Sequence, residues 1–157
     1  GWLAADSKGL HFAVAVTDDV HFCDQATPGN FWKGDSLQLA IDSENDSRDG
    51  FDANDREVGF ALTPRGPVCY VSYPGTPRGL AVPLAIRREG SVTSYEAFLP
   101  WEALELPVPT DGKMLAINYI ANDNDGLGRG YWMGLTPGIG EGKSPLSYRR
   151  FAVRVRP

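Results

Sequence analysis

The sequence predicts an all-β, antiparallel β-sandwich of the jelly-roll or immunoglobulin-like kind, with about eight strands. Three observations carry that prediction. Large apolar residues alternate with small or polar ones along most of the chain, which is the period of a half-buried strand. The 18 Gly and 12 Pro fall between these runs without a repeat, as turn residues do. At 157 residues the chain is one domain spanning 1–157, long enough to bury a core and too short for two comfortable ones.

Each element follows from its own pattern. In Leu10-His11-Phe12-Ala13-Val14-Ala15-Val16-Thr17 the even positions are large and apolar. Leu37, Leu39 and Ile41 repeat the alternation with Gln38 on the other face, and Val58, Phe60 and Leu62 repeat it again. Val68-Tyr70, Leu80 to Ile86, Tyr95-Ala97-Leu99, Leu115 to Ala121 and Phe151-Val153-Val155 complete the set. Pro100-Trp101-Glu102-Ala103-Leu104 alone reads as a helical turn, with proline in its first position and Trp101 in the core. Tyr73-Pro74-Gly75-Thr76-Pro77 is an ordinary connection.

Composition excludes several classes. A net charge of −5 without a basic stripe disfavours nucleic acid and anionic membranes, which need clustered cations to release counterions. Arg149, Arg150, Arg154 and Arg156 are the one basic concentration and read as a solvated face. No run approaches the roughly 18 apolar residues of a membrane span. Beginning at Gly1-Trp2 without a methionine, the chain reads as a piece excised from a larger protein or as a mature fragment. Cys23 and Cys69 permit one disulfide, and their spacing assigns them no role.

The functional signal concentrates in Met114 to Pro145. An apolar strand stops at Asn122-Asp123-Asn124-Asp125-Gly126, followed by Arg129, Tyr131 and Trp132 and then by Thr136-Pro137-Gly138-Ile139-Gly140-Glu141-Gly142-Lys143. A loop beyond about 12 to 15 residues in a compact domain is usually functional or disordered. Ring faces with carboxamides and carboxylates suit a polyhydroxylated ligand, because sugar C–H faces stack on rings while hydroxyls need directional partners. The alternative is that Tyr131 and Trp132 plug the end of the core. Trp32, in a turn-rich loop before a strand, is likewise either a core lid or a stacking platform.

Strand parity adds a position. If successive strands reverse, the chain leaves the 10–16, 58–62 and 115–121 strands at one end, so the loop Asp18–Asp35 shares that end with Asn122–Ser147. Trp32 and Trp132 become neighbours. The acidic segment Asp42–Asp55 and the Trp101 turn fall at the other end.

Asp42-Ser43-Glu44-Asn45-Asp46-Ser47-Arg48-Asp49-Gly50 spaces oxygen side chains as calcium-wrapping loops do, and Asp123-Asn124-Asp125-Gly126 is a shorter candidate. Asp42, Asp46, Asp123 and Asp125 are the candidate metal ligands, with solvated acidic turns as the alternative. His11 and His21 lack the spacing of zinc ligands, and no nucleophile elbow or serine triad is present, so the chain reads as non-catalytic.

Trp32-Lys33-Gly34-Asp35-Ser36-Leu37-Gln38-Leu39-Ala40-Ile41-Asp42, Phe98-Leu99-Pro100-Trp101, Asn118-Tyr119-Ile120-Ala121-Asn122-Asp123-Asn124-Asp125 and Pro145-Leu146 occur in an order and spacing that resemble family 9 carbohydrate-binding modules. The similarity runs from about Leu10 to Val155. It implies a β-sandwich, usually appended to secreted polysaccharide-processing proteins, hence an extracellular or periplasmic location with covalent neighbours. In that family two tryptophans clamp a sugar chain end, polar side chains hold its hydroxyls and structural calcium holds loops. Trp32 resembles the first clamp residue, Gln38 a sugar-contacting position, and Asn122 with the following Asp-Asn-Asp the polar loop of the same rim. The stretch that carries the family's second tryptophan has no aromatic in Gly138–Lys143. Either Tyr131 or Trp132 substitutes from a shifted position, or the clamp is open and the ligand different. The family's opening strands are missing or shortened before Gly1.

The leading reading is a non-catalytic module binding an oligo- or polysaccharide through Trp32, Gln38, Asn122, Arg129, Tyr131 and Trp132. The alternatives are a haem-binding electron carrier drawing axial ligands from Met114, Met133, His11 and His21, and a structural or interaction module of a secreted protein.

Overall fold

The computed structural model describes residues 1–24, 26–47 and 49–154. Val155 and Arg156, assigned from the sequence to the last strand and the basic face, lie outside the described residues. Among the described residues eleven strands form in order: β1 (Trp2–Ala5), β2 (Gly9–Thr17), β3 (Ser36–Asp42), β4 (Asp55–Thr63), β5 (Gly66–Tyr73), β6 (Arg78–Gly79), β7 (Leu84–Glu89), β8 (Val92–Pro100), β9 (Met114–Asp123), β10 (Tyr131–Gly134) and β11 (Arg149–Ala152). They make a four-stranded sheet, β1-β2-β8-β7, and a seven-stranded sheet, β10-β9-β3-β4-β5-β6, in which β11 also pairs with β9. Every pairing is antiparallel.

The sheets face each other across one core, and alternation decides which residues meet there. Leu10, Phe12, Val14, Ile86, Tyr95, Ala97 and Leu99 come from the small sheet. Leu37, Leu39, Ile41, Val58, Phe60, Leu115 and Ile117 come from the large one. Phe12 lies with its ring centroid 5.7 Å from that of Phe60 and 5.5 Å from that of Tyr119, so the two layers interlock through rings.

Trp101 is buried in this core, its indole Nε1 donating to the Asp6 carbonyl at 2.9 Å. The expected turn is present: Leu104 N donates to the Pro100 carbonyl at 3.0 Å. Cys23 and Cys69 are buried free thiols, and burial pushes them up to about 11 and about 12.

Three assignments change. The count exceeds about eight because β1, β6 and β10 are short pieces that periodicity alone does not resolve. The Leu80–Ile86 run is strand only from Leu84, in β7, while β6 ends at Gly79 before it begins; Pro83 lacks the N–H a continuous ladder needs. On β5 the inward residues are Cys69, opposite Phe60, and Val71, opposite Val58; Val68 and Tyr70 face the other way.

The outer face of the large sheet has its own small core. Ala40, Ala116, Ile120, Ile139 and Tyr148 pack there, joined by Phe51 and Trp132. The residues after β10 thus fold back over the sheet. Asn118, fully buried, accepts from Thr136 N at 3.0 Å and donates to the carbonyls of Thr136 and Pro137 at 2.9 and 3.0 Å. One carboxamide therefore satisfies loop backbone that has no strand partner there.

Candidate functional site

Alternation sends Ser36, Gln38 and Ala40 of β3 outward, alongside Asn122, Ile120 and Asn118 of β9 in register. Their side chains build a hydrogen-bonded floor. Asn122 Nδ2 donates to Ser36 Oγ and to Gln38 Oε1, each at 3.1 Å. Gln38 Nε2 donates to Glu57 Oε1 at 2.9 Å, and Ser72 Oγ donates to the same oxygen at 2.9 Å. Lys143 pairs with the other oxygen of Glu57, whose side chain is 5% exposed. A buried carboxylate is tolerable only when its lone pairs are used and its charge is met, and here both conditions hold.

Walls rise from loops at both ends of β3. Trp32 sits in a 3-10 turn, Phe31–Lys33, and its indole Nε1 donates to the Gly29 carbonyl at 3.2 Å. Phe31 fixes this turn: its ring is buried on the outer face of the sheet over Gly59, where a Cβ would come within 2.1 Å of it. Arg129 lies beside Trp32, its Cζ 4.8 Å from the Trp32 ring centroid and 4.6 Å from that of Trp132. Gly140 covers Trp132, and a Cβ there would meet the indole at 2.2 Å. Phe51 and Tyr73 form the far wall with ring centroids 4.9 Å apart. Between these walls runs a cleft of about 470 Å³, floored by Gln38, Glu57 and Ser72 and edged by the 139–143 backbone.

Open on one side and lined by rings, carboxamide and paired charges, the cleft has the chemistry of a polyol site. The sequence model of the carbohydrate family 9 binding domain-like family matches residues 3–141. This chain belongs to that family. Its members bind carbohydrate and are not catalytic.

No curated protein sequence matches the module. Its fold is similar to a family 9 carbohydrate-binding module from Caldicellulosiruptor kristjanssonii. The structure of that protein with glucose aligns at a TM-score of 0.79 and 15% identity, covering 99% of this chain and 75% of the other. The structure with cellotriose gives 0.79 and 16%, covering 99% and 74%. At such identities the likeness is one of fold.

Among the residues singled out in the sequence, Trp32, Gln38 and Arg129 line the cleft of the module. Asn122 lies beneath them, buried, receiving a bond from Arg129 Nη1 at 3.2 Å. Trp132 lies under Gly140, opposite Asn122 in the β9–β10 ladder. Tyr131, 64% exposed, is its neighbour on β10 and points to the other face, outside the cleft. Phe51, Glu57, Ser72, Tyr73 and Lys143 were not singled out. A lone phenylalanine in an acidic segment was the available signal for Phe51; nothing in the pattern marked the others.

Of the candidate metal ligands, Asp42 closes its own loop, accepting from Asn45 N at 2.6 Å and Ser47 N at 3.1 Å, while Asp46 accepts from Asn54 Nδ2 at 3.1 Å. Asp123 and Asp125 meet Asp18, with one oxygen of each within 4.8 Å of the others. Asp18 Oδ2 is buried without a hydrogen-bond partner, 3.5 Å from Arg88 Nη1. Asp35 joins the two loops of this end, accepting from Phe22 N at 2.5 Å and Asn124 N at 3.3 Å. Burial pushes it up to about 6, and likewise Asp55, whose Oδ1 is buried without a partner. His11 Nε2 faces Asp6 and His21 Nε2 the Leu62 carbonyl.

Two outcomes follow from this geometry. Gly59→Ala forces the Phe31 ring off the sheet, at a cost of about 1–3 kcal/mol by overpacking. Because Phe31 carries Trp32, denaturant unfolding should show the loss while the tryptophan emission shifts toward that of exposed indole. Asp35 and Asp55 have folded pKa values of about 6 against an ordinary 3.8. Their contribution is therefore full below the unfolded value and lost as pH rises through the folded one. In chelator the module should gain about 2–3 kcal/mol from these groups as pH falls from about 7.5 to about 5. Asp35→Asn should remove about half of that slope, read from unfolding curves across pH.

Proposed function

We propose that the module holds a saccharide in the cleft between Trp32 and the Phe51–Tyr73 wall, by stacking on the rings and by polar contacts to the floor. The observation that supports this most is the convergence of three rings from distant parts of the chain on one hydrogen-bonded floor, with Glu57 paired with Lys143. Such a floor costs less to desolvate when a sugar covers it than an unpaired carboxylate would. Affinity is modest, because hydroxyl contacts replace equally good ones to water. The related module from Caldicellulosiruptor kristjanssonii was solved with glucose and with cellotriose, which makes oligosaccharides the natural probes. A module of this kind serves a polysaccharide-processing protein, to which it is covalently joined, outside the cell or in the periplasm.

We further propose that calcium is held by Asp18, Asp123 and Asp125. One carboxylate oxygen from each of the three lies within 4.8 Å of the others, and such oxygens are the hard donors calcium requires; Asp18 Oδ2, buried, makes no hydrogen bond and has Arg88 Nη1 at 3.5 Å. The ion would tie the loop after β2 to the end of β9, beside the Asp35 bridge. The acidic turn around Asp42 is closed by its own backbone bonds and fits an ion less well.

Titration calorimetry with cello-, xylo- and pectin-derived oligosaccharides tests the site. Trp32→Ala should weaken the best ligand about 10- to 100-fold with circular dichroism unchanged; wild-type heats that are null across the whole panel would defeat the reading. For calcium, chelator-stripped module should melt several degrees higher on adding the ion, and Asp123→Asn should lose that rise. An unchanged melting point in wild type would remove the ion.

A further inference from the structure

Arg129 is the one cleft residue that a neutral saccharide leaves unexplained. Its guanidinium is half-buried, with Cζ over the rings of both Trp32 and Trp132. A guanidinium carries several N–H donors around the rim of a plane, more than one carboxamide oxygen takes up. One of them, at Nη1, is used by Asn122 Oδ1 at 3.2 Å. None of the ion pairs formed among the described residues includes Arg129. Burial lowers its pKa and no neighbouring carboxylate opposes that effect. Lys143, the other cation lining the cleft among the described residues, is already taken by Glu57.

A partly desolvated cation without a counter-charge carries a standing electrostatic cost, and its fixed orientation makes it a poor scavenger of random hydroxyls. A hydroxyl offers one acceptor atom. A carboxylate offers two coplanar oxygens that match the guanidinium edge.

We propose that the cleft selects an acidic saccharide, and that Arg129 binds the carboxylate of a uronic acid residue through paired N–H···O bonds. This rests on the carbohydrate reading above and names the class of sugar. The uronate ring would lie against Trp32, with Ser72, Tyr73 and Lys143 further along the cleft for the next residue. Glu141 also lines the cleft, exposed, and opposes the incoming charge, so the preference belongs to Arg129 in spite of it.

The experiment is calorimetric titration of the module with trigalacturonate, its methyl ester, cellotriose and a sulfated trisaccharide. The acid should bind about 10- to 100-fold tighter than its own ester at low salt, and the gap should narrow as salt rises to roughly 0.5 M. Arg129→Gln should bring the acid-to-ester ratio to about one, Arg129→Lys should restore part of it, and Glu141→Gln should widen it. Equal affinity for acid and ester in wild type, with cellotriose bound, overturns the acidic-sugar assignment and leaves the carbohydrate function standing. A sulfate ester matching the carboxylate's gain overturns the fork in favour of an unspecific anion contact. Failure of every saccharide to bind brings down both readings.

Discussion

The antiparallel pairing of β3 with β9 is the constraint on which both the core and the cleft depend. It sets Ser36 opposite Asn122 and Gln38 opposite Ile120, and by alternation sends Leu37, Leu39 and Ile41 inward. A slip of one residue would exchange the faces, burying carboxamides in the sandwich and exposing its leucines. The register therefore cannot drift without losing stability and recognition together. It also delivers the loop before β3 and the loop after β9 to one end, where Asp35 bonds the backbone of both.

On the floor of the cleft, Gln38 and Glu57 are arranged so that each meets its partners before any ligand arrives. Gln38 is engaged at both ends of its amide and Glu57 at both oxygens. Such a network stays ordered because breaking any one bond leaves a buried group unsatisfied. Arg129 departs from this pattern, held over two indole rings and by one carboxamide. The contrast between a saturated floor and an unsaturated guanidinium separates the groups that shape the cleft from the group that has bonds still to make.

Much of this was legible in the residues. Alternation located the long strands, and strand parity brought Trp32 to the end where Asn122 stands, because both depend on local chemistry and chain reversal. The short strands were not legible: β10, with four residues inside a polar loop, gains its structure from pairing with β9. Nor was the course of the cleft. The acidic segment was rightly separated from the Trp32 end by the length of β3, yet Phe51 returns from it over the sheet face, so the site runs along the strand instead of stopping at the rim. The pattern could place Trp32 and Trp132 together. Only the packed structure shows that the guanidinium of Arg129 already fills the space they share.

Ile139 and Tyr148 anchor the returning chain on Ala40, Ala116 and Ile120, a cluster distinct from the one between the sheets. The molecule thus has two hydrophobic centres with separate duties, one keeping the scaffold folded and the other setting how high the border of the groove stands. Replacing side chains in the second centre would reshape what the protein recognises while sparing the first. Divergence of specificity is therefore mechanically cheap in this architecture, since the part exposed to selection for new ligands is not the part that keeps the polypeptide folded.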